Sequence, residues 1–313
     1  MPARKDENAS DGWTSVTFPS GRIEVTRVHL RTGEKPVLVS WDLFALEGEQ
    51  LEALKRLRSA KRIGQGRCTT LLRHGQYQLL QTEAPDVPKA ELREAMRWRV
   101  KELVDFAIDQ AVVDVLNIPS AKVEAGRASQ VFVVAASHAQ LTPRIRLFQD
   151  AKLPLQAIDI PELAQRNVAA LFEQENRGLA VLVFDDDGGL LTLTYQGQLL
   201  ASRHIDTKRA ELAAASEGSG GLYDRVLLEV QRSLDNFERA HSYATITRIL
   251  VAALPGGNAF IDYLKANLYQ PVEVLDLAQA MDISAVPTLT DPARQAEALL
   301  AIGAAMRSEA PIQ

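Results

Sequence analysis

"VLVFDDDGGLLTLTYQGQ", Val181 to Gln198, decides how this chain is read. An apolar strand enters a turn made of Asp185, Asp186, Asp187, Gly188 and Gly189, and a second strand leaves it toward another turn at Gly197. The same design opens the chain. There "WTSVTF" (Trp13 to Phe18) and "RIEVTRVHL" (Arg22 to Leu30) flank Pro19, Ser20 and Gly21, with proline expected to preset φ at the second position of the turn. The acidic turn raises a second question, whether it does chemistry. Two carboxylates there could bind Mg²⁺, but three successive residues in an extended turn cannot all converge on one ion. The reading adopted is a solvated turn with no metal.

Working outward from the first hairpin, "KPVLVSWDLFAL" (Lys35 to Leu46) reads as a third strand after a turn at Thr32 and Gly33. A helix over Glu49 to Arg58 follows, then strands "RCTTLLR" and "YQLLQTE" around His74 and Gly75. These segments are expected to form a five-stranded sheet with one helix. At "APDVPKAELREAMRWRVKELVDFAID" the pattern changes: Pro88 suits a helix start, and Leu92, Met96, Val100, Leu103 and Val104 fall on one helical face. Two strands (Ala111 to Ile118, Gln130 to Ser137) and a helix to Ala151 complete an αββα block over residues 86–151, read as an insert. Strand "LPLQAIDI" and helix "PELAQRNVAALFEQE" restore a β-to-α pattern before the chain begins again past Asn176.

After the acidic hairpin come strand "QLLASRHI", the polar "EGSGG", and a long helix from Leu222 to His241 with Leu222, Val226, Val230, Leu234 and Phe237 along one side. Strand "RILVAAL", turn "PGGN", helix "AFIDYLKANL", strand "PVEVLDL" and a helix over Pro292 to Arg307 finish the pattern. The expected organisation is a flexible tail (1–12), a first lobe (13–177) holding the insert, and a second lobe (178–313), an α/β protein of two related halves.

At 313 residues with 46% hydrophobic content, two cores are affordable. A net charge of −5 argues against a nucleic-acid partner, which needs clustered Lys and Arg to displace counterions. Cys68 is the only cysteine, so there is no internal disulfide and no Cys-based metal cluster, as suits a reducing compartment. "MPARKDENAS" lacks the apolar stretch of a secretory signal. The longest apolar run, Ala298 to Met306, is half the roughly 18 residues of a membrane helix. The expectation is a cytoplasmic protein with no direct membrane insertion.

Motifs for common chemistry are missing. There is no P-loop, no dinucleotide fingerprint and no G-x-S-x-G elbow. "GQGRCT" (Gly64 to Thr69) enters a strand rather than a helix, and "GSGG" before the long helix reads as a linker. The closest pair of histidines, His204 and His241, is 37 residues apart, so no helical pair chelates a metal locally.

Three stretches resemble the PilM family of actin-like proteins in type IV pilus assembly, including its members that serve MSHA-type pili. They are Glu94, Ala95, Arg97, Trp98 and Arg99 followed by Leu103, Val104, Asp105 and Phe106; Glu229 to Asn236 with Phe237; and "YQGQLLASRHI" (Tyr195 to Ile205). The resemblance implies an actin-like ATPase (ribonuclease H-like) two-lobe fold, with the αββα block as the extra subdomain that family shares with the cell-division protein FtsA. It also implies ATP and Mg²⁺ between the lobes, on two glycine-rich turns that each carry an Asp.

Both turns have departed from that pattern here. The first reads Thr17, Phe18, Pro19, Ser20, Gly21, Arg22: no acid, and a proline that removes an N–H donor. The second reads Val183 to Gly188, with carboxylates where glycine would face phosphate, and like charges a few Å apart repel strongly at a partly buried site. Ser20, Gly21, Asp185, Asp187 and Gly188 are therefore read as vestiges. Gly256 and Gly257 are either a remnant of the adenosine-side turn or a plain strand-to-helix connection. Only Asp206 to Gly221 stands where the family has a nucleotide-covering subdomain, so that subdomain is reduced.

The expected role is a non-catalytic scaffold without cofactor, peripheral to the inner membrane. It would bind the cytoplasmic N-terminal peptide of a PilN-like membrane protein, alongside other pilus components. Arg97, Trp98, Lys101, Val104 and Phe106 are the expected peptide contacts; Val104 reads equally as core, and Trp98 lies off the apolar stripe. The competing readings are a Mg-ATP-dependent actin-like ATPase and a relative of the cytoplasmic domain of the type II secretion L protein, which carries its own membrane helix.

Overall fold

A computed structural model describes residues 13–31, 33–60, 62–63, 66–119, 129–215, 221–256 and 259–307. The expected tail, Thr32, Gly64 and Gln65, most of "EGSGG", and Gly257 and Asn258 lie outside the described residues. In chain order the first half runs β1 (Thr14–Thr17), β2 (Arg22–His29), β3 (Val37–Ala45), α1 (Gln50–Ser59), β4 (Cys68–Leu71), β5 (Gln78–Glu83), α2 (Lys89–Arg99), β6 (Ala111–Asn117), β7 (Gln130–Ser137), α3 (His138–Asp150), β8 (Leu155–Asp159) and α4 (Pro161–Ala169). The second half runs β9 (Gly178–Phe184), β10 (Gly189–Tyr195), β11 (Gln198–Ile205), α5 (Arg209–Ala214), α6 (Leu222–Ala240), β12 (Ile246–Val251), α7 (Ala259–Asn267), β13 (Val272–Val274) and α8 (Pro292–Ala305).

The two halves repeat one topology. The first sheet has the order β3-β2-β1-β4-β8 and the second β11-β10-β9-β12-β13. In each, three antiparallel strands are followed by two parallel ones. The central strand β9 is buried at all seven positions, as a strand covered on both faces has to be.

One strand expected in the first sheet sits elsewhere. β5 pairs with β7 in a separate three-stranded sheet, β5-β7-β6, and β8 takes the place beside β4. A two-stranded β6–β7 hairpin would be marginal by itself, and β5 supplies the third strand it needs. The apolar stripe of α2 is likewise shorter than expected. The helix stops at Arg99, with Met96 and Val100 fully buried, and the chain tightens through Leu103 N–H to Val100 O (2.9 Å). Leu103 is thereby turned out to solvent at 54% exposure instead of joining the stripe.

α4 and α8 lie between the two sheets and trade sides. α4, which follows the first sheet in sequence, packs on β9, β10 and β11; α8, which follows the second, packs on β1, β2 and β4. The alanine-rich run singled out in the sequence is the nearly fully buried C-terminal part of α8, and its small residues let the helices come close. Asn167 Nδ2 donates to Gly303 O (2.9 Å), and a Cβ at Gly303 would stand 2.0 Å from Ala164 O. The interface between the halves is thus a continuous core, in which Val168, Leu179, Leu250, Leu299 and Ile302 are buried together. Among the described residues no helix is long and apolar enough to cross a membrane.

Candidate functional site

The β1–β2 and β9–β10 turns face one cavity of about 120 Å³ between the halves, which brings Ser20 together with Asp185, Asp186 and Asp187. In the first turn Arg22 N–H donates to Pro19 O (2.9 Å) and Gly21 sits at φ +67°. Pro19 therefore occupies the first position of the turn, not the second, because a proline keeps its predecessor, here Phe18, extended and delays the bend by a residue. In the second turn Asp185 N–H donates to Gly188 O (2.9 Å), and Asp185 Oδ1 accepts from the N–H groups of Asp187 (2.7 Å) and Gly188 (3.1 Å).

The three carboxylates diverge. Asp185 turns back on its own backbone. Asp186 Oδ1 lies 3.4 Å from Arg209 Nη2, and Arg209 N–H is held by Asp185 O (2.9 Å). Asp187 is gripped from the other half of the molecule by Arg73, Nε donating to Oδ2 at 2.8 Å and Nη2 to Oδ1, a bidentate fork. Burial raises the Asp185 carboxyl above its ordinary range, with the Asp187 charge adding to the shift and the two backbone donors opposing it. Among the described residues no group of three or more His, Cys, Asp and Glu side chains is placed to share a metal ion.

Other charges line the same space. Arg22 Nη1 donates to Glu297 Oε1 (2.7 Å) across the halves, and Arg294 Nη1 to Glu297 Oε2 (2.6 Å). Glu24 is buried and accepts from Thr17 Oγ1 and Trp41 Nε1, each at 2.6 Å; burial raises its carboxyl too. Arg144, on α3, stands over the Phe18 ring at 4.5 Å and donates to Thr70 Oγ1 at 3.4 Å. Its pKa is lowered first by burial and then by the neighbouring Arg73 charge.

Behind the acidic turn the halves meet again. The His74 and His204 rings stack across them at 3.5 Å with 5° between planes, and beside this contact, within the first half, Tyr77 Oη donates to Glu162 Oε2 (2.6 Å). Burial, then the His74 charge, lowers the His204 pKa. Gly188, at φ +144°, is confined here: a Cβ would lie 2.6 Å from His204 Cε1.

Of the turn residues expected to be vestiges, Ser20, Asp185 and Asp187 line the cavity; Gly21 belongs to the first turn and Gly188 faces His204. Gly256, at φ +89° after β12, is not part of the lining, and Gly257 lies outside the described residues. The five insert residues form a separate group. Trp98 is 59% exposed with its Nε1 donating to Glu94 Oε1 (3.0 Å), and Lys101 is exposed. Arg97 is structural, its Nε donating to Ile108 O (3.0 Å), while Val104 and Phe106 pack on the insert core around Met96 and Val100. Sequence reading did not pick out Arg73, Arg144, Arg209 or Glu297. An acidic run of three asks for nearby cations, but which arginines answer is set by the approach of the two halves.

No protein family and no curated protein matches the chain by sequence. Solved structures do match it. A PilM–PilN type IV pilus biogenesis complex is 20% identical, over 94% of this chain and 97% of that one, at a TM-score of 0.71. A Bacteroides thetaiotaomicron protein with an actin-like ATPase fold is 8% identical, over 90% and 96%, at 0.50. The cytoplasmic domain of EpsL, an inner-membrane component of the Vibrio cholerae type II secretion system, is 12% identical, over 91% and 95%, at 0.44, a score too low to support anything further. The chain has the actin-like two-lobe fold.

Proposed function

We propose that this chain is a PilM-like, non-catalytic docking scaffold of a type IV pilus machine, of the MshI kind that serves MSHA pili. It works on the cytoplasmic face of the inner membrane and is held there by a PilN-like partner. The fold shared with a PilM–PilN complex and the three sequence stretches around Trp98, Glu229 and Tyr195 support the pilus assignment. The observation that carries the non-catalytic reading is the acidic turn. Asp185 is engaged by backbone N–H groups, Asp186 by Arg209 and Asp187 by Arg73. Opposite them Pro19 offers no N–H. These residues do not fit a magnesium-bound triphosphate, which needs free carboxylates for the metal and open backbone donors for phosphate.

Partner binding falls to the insert, where Trp98 and Lys101 are the exposed members of the expected contact set. An exposed tryptophan beside a cation is a suitable anchor for a short peptide. Val104 and Phe106 shape the surface from beneath. The test immobilises cytoplasmic N-terminal peptides of PilN-like proteins and measures capture. Trp98→Ala weakens the productive peptide at least about tenfold, roughly 1.4 kcal/mol, with an unchanged melting temperature. Capture indifferent to both Trp98→Ala and Lys101→Glu sinks the assignment of the surface. Calorimetry with Mg-ATP tests the rest: saturation tighter than about 100 µM, roughly −5.5 kcal/mol, restores the ATPase reading.

A further inference from the structure

Three of the four arginines lining the inter-lobe cavity are matched: Arg22 by Glu297, Arg73 by Asp187 and Arg209 by Asp186. Arg144 is different. Among the described residues no carboxylate pairs with it; it has one long bond to Thr70 Oγ1 and the face of Phe18. A guanidinium carries five N–H donors in a planar fork, so most of those on Arg144 are left for whatever enters the cavity. A partly buried cation held this way is costly unless a counter-charge arrives.

The surroundings narrow the counter-charge. Phe18, Leu71, Leu72, Val183, Leu300 and Ala301 give the cavity apolar walls, so the body of a ligand is apolar. Asp186, Asp187 and Glu297 are each taken by an arginine, while Asp185 and Glu24 accept only from neutral donors in places where burial disfavours their charge, so Arg144 is the unmatched cation and has room for one negative charge. A second would face Asp185, Asp186 and Asp187 and be repelled. A planar carboxylate meets a guanidinium fork through two parallel bonds. The volume is of the order at which a cavity admits a benzene-sized ring, about 150 Å³. We propose that this cavity is a binding site for a small monocarboxylate with an apolar body, oriented by Arg144. The proposal rests on the reading of the cleft as closed to a triphosphate, and it gives the remaining space a ligand of different chemistry.

Calorimetry of the whole protein with four probes decides it. Benzoate is expected to saturate at one per chain with a Kd of about 1 mM or tighter. Benzyl alcohol, the same body without the charge, and inorganic phosphate, the charge without the body, are each expected to bind at least about tenfold more weakly. Arg144→Gln is expected to weaken benzoate about tenfold while leaving benzyl alcohol unchanged. Ser20→Trp, at the exposed rim of the cavity, blocks benzoate without touching Arg144 and keeps the test open if Arg144→Gln fails to fold. Failure of benzoate to saturate, parity with benzyl alcohol or phosphate, or undiminished binding to Arg144→Gln each overturns the proposal. The fourth probe, Mg-ATP, separates the two readings. Its saturation overturns the non-catalytic scaffold as well, whereas silence from both ATP and benzoate overturns only the carboxylate site.

Discussion

The β1–β2 and β9–β10 turns hold the same place in two sheets of the same topology, yet they are secured to different degrees. The first is closed by the backbone bond from Arg22 N–H to Pro19 O, with Gly21 O accepting from Leu46 N–H (2.9 Å) and the Arg22 side chain reaching Glu297, and the Cα of Gly21 faces open space. The second is held by side chains on every side: Asp185 folds onto its own backbone, Arg209 and Arg73 take the next two carboxylates, and Gly188 is wedged against His204. Equal topology therefore does not mean equal duty. In the second turn, carboxylates that could have faced a ligand are already engaged, Asp185 and Asp186 within their own lobe and Asp187 in joining the two lobes.

The most severe way to break the comparison is to part the two sheets. Gly303→Ala places a methyl against the Ala164 carbonyl, where neither helix backbone can yield cheaply. It is expected to cost about 3 kcal/mol in thermal or denaturant unfolding. Next comes the contrast between the turns themselves. Gly188→Ala combines a φ forbidden to alanine with a clash on His204 and is expected to lose about 2–3 kcal/mol; Gly21→Ala, with nothing near, loses about 1 kcal/mol. A Gly21 variant as damaging as the Gly188 one would mean the first turn is as constrained as the second.

Smaller effects sharpen the account of the acids. Asp185→Ala strands two backbone donors and costs about 1–2 kcal/mol, whereas Asp185→Asn keeps the acceptor and stays within about 0.5 kcal/mol, because burial already disfavours the charge. Asp187→Asn breaks the part-exposed fork to Arg73 and costs about 1 kcal/mol, an effect that shrinks at high salt.

The smallest expected effect is a pH slope. The folded His204 imidazole is depressed below its ordinary value of 6.5, first by burial and then by His74. Its contribution to stability is therefore complete above that value and is lost as pH falls through the depressed one. His241, lowered by burial, works in the same direction, so the diagnostic is the difference between wild type and His204→Phe, which keeps a ring on the stack but cannot charge. Identical slopes below pH 6.5 would remove His204 from the account.

Much of the fold was legible because period-two alternation and turn residues are local signals. The repeated hairpins around Ser20 and Asp186 gave away the two halves before any contact was known. β5 was misplaced because the tight turn at His74 and Gly75 suggests a neighbour to β4, while the true neighbour, β8, is reached only through the insert. The burial of α8 could be read from its alanines, but not that it covers the sheet of the other half. The site was half legible: the sequence pointed to Ser20 and Asp185, but a pair such as Arg73 and Asp187, 114 residues apart, is created only by the meeting of the lobes.

The exchange of α4 and α8 also bears on how such a chain acquires its shape. The β1-β2-β4 surface receives its cover from a helix that begins at residue 292, so during synthesis that face leaves the ribosome long before its lid exists. The amino-terminal lobe must wait, collapsed but unsealed, and maturation of the whole depends on a late closing event of high contact order, at which chaperones have the most to protect.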